Sequence, residues 1–246
     1  MEPLRNSSMA AGYGVSSAEV DAGLRSYMLK VYNTMALGVA ATGLVVLFLA
    51  SQPELLFTLA VGPLKWVFFA IVLGLGFMAQ KIVTARNPAV AHLMYWSYVV
   101  AWGVMIAPMV YLFLQTPGGV MDVARAFFIT SAMFAGASLF GYTTKKDLSA
   151  FGRFFMMASI GLLVAMLVNL FFASTGFSLL ISIAVVLLFA GITAYETQMI
   201  KEMYTQAYGD GVVSRMAIFG AFMLYGTFIT MFIHILNILA ILRGEE

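Results

Sequence analysis

The chain has 246 residues, of which 62% are hydrophobic and 10% charged, with a mean hydropathy of +0.96. A soluble domain is nearer half apolar and a quarter charged, so lipid must cover part of this surface. Cysteine is absent, which excludes disulfides, thiolate nucleophiles and Cys-ligated metal sites, and the net charge of +2 forms no basic stripe for a nucleic acid.

Residues 1–25 are rich in Gly, Ser and Ala and read as a flexible tail, without the apolar core of a signal peptide. Residues 26–246 read as one membrane domain of seven spans. These are Val31–Ala50, Leu64–Val83, Ala91–Leu114, Ala126–Thr143, Phe154–Ala173, Ser178–Ile200 and Met216–Ile241. Most reach the ~20 residues that cross a hydrocarbon core of ~30 Å. The second is short, because only Trp66–Gln80 lies between Lys65 and Lys81. Snorkelling lysines can extend it. In the third, Pro108 is expected to kink the helix unless the freed carbonyl finds a partner. Gly74 and Gly76 in span two, and Ala132 and Gly136 in span four, are expected to permit close helix packing. The expected fold class is therefore all-α, a polytopic membrane bundle.

Charge sets the expected orientation. The tail and the loops after spans two, four and six hold Arg5, Arg25, Lys30, Lys81, Arg86, Lys145, Lys146, Arg153, Lys201 and Arg215. The other side holds Lys65, Arg125 and Arg243. Ten against three predicts a cytoplasmic N-terminus and an outer C-terminus. Lipid is the partner that composition itself implies.

Four segments carry a resemblance: Tyr27–Gly38 (YMLKVYNTMALG), Pro63–Trp66 (PLKW), Phe127–Ser149 (FFITSAMFAGASLFGYTTKKDLS) and Phe189–Tyr204 (FAGITAYETQMIKEMY). In order and spacing they resemble the Bax inhibitor-1 family, in its proteobacterial branch, from about residue 25 onward. The resemblance implies a seven-helix bundle with the seventh helix central, a bacterial inner-membrane location, and a pH-modulated cation leak, chiefly for calcium. In the family pattern, aspartates on helices six and seven share a proton and close the pore. This chain departs from it: AYDTQ becomes Ala194-Tyr195-Glu196-Thr197-Gln198, and LYLDFIN becomes Leu224-Tyr225-Gly226-Thr227-Phe228-Ile229-Thr230. Glu196 thus replaces one aspartate and Thr227 the other.

A carboxylate within a span is costly, though less so near an interface. Three readings of Glu196 stand open: a snorkelling side chain, a proton- or cation-binding group facing the bundle, or a structural ion pair with Lys81 or Arg86. One Glu plus hydroxyls makes a weak calcium site, so protons or monovalent cations gain weight as the transported species. Thr227, Thr230, His234 and Asn237 recur at spacings of three, four and three, which puts them on one helix face. In lipid such a stripe should face the bundle, as interhelical hydrogen bonding or as the lining of a path. His234 is a candidate proton sensor, with Asn169 at similar depth as its expected partner. His92 and His234 form no HExxH pattern, and no catalytic constellation appears, so neither an enzyme, a bound cofactor nor a transition-metal site is expected. The rival function is regulatory: binding of a membrane-anchored protease or stress-response partner without transport. Oligomeric state is left open.

Overall fold

A computed structural model of the chain describes residues 17–85, 87–204 and 209–244. All described regular elements are helical. They are α1 (Ser17–Ala50), α2 (Pro53–Leu56) running into a π-turn at Phe57–Val61, α3 (Lys65–Phe77), α4 (Lys81–Thr84), α5 (Pro88–Leu114), α6 (Gly119–Thr143), α7 (Gly152–Phe172), α8 (Thr175–Met203) and α9 (Asp210–Gly244). The expected all-α membrane bundle is what forms. Six helices are long and apolar enough to cross a bilayer, and α2 through α3 supply a bent seventh.

Span two differs from expectation. It begins at Pro53, bends by 57° between Val61 and Lys65, and ends at Phe77, with α4 a separate turn. The break has a local cause. Proline disfavours helical backbone in the residue before it, and Gly62, which precedes Pro63, is extended at ψ −173°. Before the break, the Gly62 amide donates back to the Phe57 carbonyl at 2.7 Å. In span three, by contrast, α5 runs unbroken through Pro108. Helix α1 starts at Ser17, inside the stretch read as tail, whereas residues 1–16 lie outside those described.

Helix α9 is the centre. It packs against α8, α1, α6, α5 and α4, and buried residues lie on every side of it from Met216 to Leu236. Helix α7 is the opposite case: it packs chiefly on α8 and buries no residue. Its leucines, valines and phenylalanines face outward, as lipid-facing side chains can at no cost.

Close approach occurs at glycines other than those expected. A Cβ on Gly74, Gly76 or Gly136 would meet open space, and Ala132 is exposed. These positions face away from neighbouring helices. At Gly141 of α6, a Cβ would instead fall on the carbonyl of Ala194 in α8. That contact brings α6 backbone to α8 backbone two residues from Glu196.

Helix ends sort into two faces. On one, Lys30 donates to Ser214 at 2.9 Å, Arg215 to the Val83 carbonyl at 3.1 Å and Lys201 to the Tyr142 carbonyl at 2.8 Å. On the other, Arg243 and Arg125 both pair with Asp122, at 2.9 and 3.1 Å. The first, the Lys201 face, gathers the loops in which the sequence places most positive charge.

Candidate functional site

The site lies in the seam between α8 and α9. Around Glu196 the sequence folds a polar turn into an apolar helix: Thr193, Glu196, Thr197 and Gln198 are all buried. A helix spends polar side chains this way only when neighbouring helices satisfy them. Thr193 answers itself by donating to the Phe189 carbonyl, one turn back, at 2.8 Å. The others reach across.

Glu196 Oε2 accepts a hydrogen bond from Thr227 Oγ1 on α9 at 2.6 Å. This is the length expected when a hydroxyl donates to a carboxylate. The two positions paired by resemblance are therefore in contact. Thr227 Oγ1 also lies 3.2 Å from the Met223 carbonyl. A hydroxyl has one proton, so it cannot serve both acceptors fully. With Glu196 ionised, the shorter contact takes it. With Glu196 protonated, the carboxyl can donate to Thr227, whose own proton turns to Met223.

Glu196 is no surface snorkel, being only 9% exposed. Nor does it pair with Lys81, which is exposed, and no ion pair to Glu196 exists among the described residues. A buried carboxyl has better access to a nearby hydroxyl than to a lysine held at the solvent edge. Arg86 lies outside the described residues.

Hydroxyls flank the pair on two sides. Tyr32 of α1 meets Ser138 of α6 at 2.6 Å, and Ser138 meets Thr197 of α8 at 3.0 Å. Thr42 of α1 meets Tyr225 of α9 at 2.6 Å. Gly226, where the family pattern has Leu, lets the Tyr98 hydroxyl close in: a Cβ there would lie 3.1 Å from it. Tyr98 stacks on Phe222 with ring centroids 4.1 Å apart. Toward the Lys201 face, Gln198 grips the loop after α6. Its Oε1 accepts from the Leu148 amide at 2.7 Å, and its Nε2 donates to the Lys146 carbonyl at 2.9 Å. In that loop, the Ser149 side chain and amide donate to Asp147 and hold its carboxyl below the usual range.

His234 and Asn237, further along the α9 stripe, form a second cluster with α8. His234 sits about 10 Å beyond Thr227 along the helix axis. Its Nδ1 lies 3.2 Å from Ser182 Oγ. Asn237 Nδ2 donates to Ser182 Oγ at 2.8 Å and to Ser178 Oγ at 3.2 Å. Ser182 Oγ thus joins Asn237, from which it accepts, to His234 Nδ1, and its hydroxyl can accept from or donate to the ring according to the imidazole tautomer. Thr230 turns back on its own helix and donates to the Gly226 carbonyl at 2.8 Å.

Asn169 is not the partner of His234. Its side chain accepts from the Ser174 amide at 3.2 Å, and its carbonyl from the Ala173 amide at 2.7 Å, closing the end of α7. A short amide near a helix terminus finds unpaired backbone before it finds another helix. The partners that sequence reading missed are Ser178 and Ser182. Their spacing of four puts them on one face of α8, which was the available signal. Among the described residues no cluster of His, Asp and Glu could hold a metal ion.

Comparison with known proteins identifies the relatives of this chain. Residues 24–244 match the family described as "Inhibitor of apoptosis-promoting Bax1". A protein of Caulobacter vibrioides is 39% identical over 89% of both chains. RP147 of Rickettsia prowazekii is 37% identical, over 89% of this chain and 91% of its own. Inner membrane protein YbhL of Escherichia coli is 33% identical, over 88% and 92%. With a match this long, and relatives similar end to end in which one is an inner membrane protein, the chain belongs to the Bax inhibitor-1 family.

Proposed function

We propose that the protein is a slow, pH-modulated cation leak of a bacterial inner membrane, with the Lys201 face cytoplasmic. The observation that carries this is the Glu196–Thr227 hydrogen bond. A single carboxyl is buried at the central seam, bonded to one hydroxyl, with no ion-pair partner among the described residues. Intramembrane carboxyls of this kind mark ion paths and proton relays. Glu196 is the gating or cation-binding group, and Thr227 reports its protonation by switching its own proton between Glu196 and Met223. The shared-proton aspartate pair of the family is reduced here to one carboxyl and one hydroxyl, so the switch moves one proton rather than redistributing charge between two acids. One carboxylate with hydroxyls is a poor calcium cage, which favours protons or monovalent cations over calcium. The His234–Ser182–Asn237–Ser178 cluster continues the polar seam and is the candidate lining of the other half of the path. The charge bias of the loops supports the orientation.

The test is flux in proteoliposomes between pH 6 and 8, measured separately for calcium, potassium and protons. Wild type should leak in a pH-dependent way, and Glu196→Gln should flatten that dependence. A Glu196→Gln profile identical to wild type would remove Glu196 from the gate. Absence of flux from folded wild-type protein would shift the weight to the regulatory alternative, a binding partner such as a membrane-anchored protease.

A further inference from the structure

A large apolar cavity lies outside the Glu196 seam. It occupies about 740 Å³ between α1 and α6, with α9 residues Phe228 and Phe232 in its lining. The two helices are joined at one end by the Tyr32–Ser138 hydrogen bond and elsewhere make no extended contact. Three hydroxyl side chains border it: Thr42, bonded to Tyr225, Tyr32, bonded to Ser138, and Ser131. The remaining lining is apolar, and Gly43, Leu47, Val120 and Phe128 at its edges are exposed on the lipid side of the bundle.

We propose that this groove binds one phospholipid, an acyl chain lying between α1 and α6 and the phosphodiester on Arg125. Two observations select this occupant. The first is shape. From Tyr32 to Leu47 the groove follows α1 for about 22 Å, well over half of a hydrocarbon core of ~30 Å. A long, dry slot of this kind matches an extended chain. The second is charge. At the end lined by Val120 and Ala124 stands Arg125, with its side chain 63% exposed. Among the described residues, Asp122 is the single carboxylate shared by Arg125 and Arg243. Two guanidinium groups on one carboxylate leave that cluster positive in the first turns of α6, at the same end of the helix as Val120, and guanidinium recognises phosphate through paired N–H donors.

Native mass spectrometry of the full chain, released from detergent micelles, tests this with dioleoyl phosphatidylglycerol against dioleoylglycerol, which lacks the phosphate. Wild type should retain one phosphatidylglycerol, with about tenfold preference over dioleoylglycerol. Gly43→Trp should lose that adduct. Gly43 lines the groove and a Cβ there meets nothing within 4 Å, so the backbone accepts a side chain at this position. Ala124→Trp fills the groove from the opposite wall and should act alike, with circular dichroism confirming the helices of both variants. Arg125→Gln should still take up dioleoylglycerol while losing the preference for phosphate. Retention of the adduct in both tryptophan variants would overturn the proposal. So would equal retention of the two lipids by wild type, or a dimer without lipid that Gly43→Trp turns into a monomer, since the groove would then hold a second copy.

Discussion

The two halves of the α8–α9 seam solve the same problem by different means. Near the Lys201 face, polar groups sit in a fully buried zone, and the one ionisable member, Glu196, has a single hydroxyl for company. In the other half, half-buried His234, Asn237 and Ser178 gather round the buried Ser182 and satisfy one another. Such a cluster can be closed by mutual hydrogen bonds even where it lines a path. A lone carboxyl cannot be closed this way in both protonation states, so its half of the seam keeps two arrangements of one proton. The difference teaches that polarity in a membrane bundle is not itself a sign of function. What distinguishes the Glu196 half is a group whose hydrogen-bonding role reverses with pH.

The comparison can be broken most severely at Gly141. Gly141→Val drives a side chain into the Ala194 carbonyl, a backbone atom that cannot rotate away. It should destabilise the protein by about 3 kcal/mol or more, read as a lowered thermal unfolding midpoint in detergent. Next, Thr227→Val keeps the shape but removes the donor to Glu196, at a cost of about 1–3 kcal/mol. A carboxylate without its donor takes up a proton more readily, so the midpoint of pH-dependent flux should move to higher pH. An unmoved midpoint would show that Thr227 does not set the gate. Ser182→Ala removes the hub of the second cluster and should cost about 0.6–1.7 kcal/mol in unfolding, with the flux midpoint unchanged. A shifted midpoint there would transfer pH sensing to His234. Asn169→Ala, which touches only the end of α7, should have the smallest effect, about 0.5 kcal/mol, and none on flux.

Apolar stretches and loop charges sufficed for the bundle, because lipid imposes length and composition on any crossing helix. The Thr227–Asn237 stripe was also legible: spacings of three and four settle a shared face before any neighbour is known. What those helices meet was not legible. Asn169 and His234 were matched by depth along the membrane normal, yet depth says nothing about azimuth, and Asn169 is consumed by the end of its own helix. Lys81 was proposed for Glu196 on side alone, where burial decides. The bend in span two was written locally, as Gly62 before Pro63, but counting apolar residues between lysines hides a break that lies before the first of them. Close packing fails as a sequence inference for the same reason. Gly136 and Gly141 are five residues apart on one helix, and only the second faces a neighbour.

The central position of α9 has a consequence for how the molecule is made. The element that α1, α4, α5, α6 and α8 all pack against follows all of them in the chain and is made after them. Contacts between α1 and α9 join segments nearly the full described length apart, an arrangement of high contact order that slows closure. Until α9 inserts, Thr42 lacks Tyr225, Glu196 lacks Thr227, and Ser178 and Ser182 lack Asn237. Until its core arrives, the nascent bundle holds these polar groups unpaired with one another, and the arrival of α9 closes all of them together.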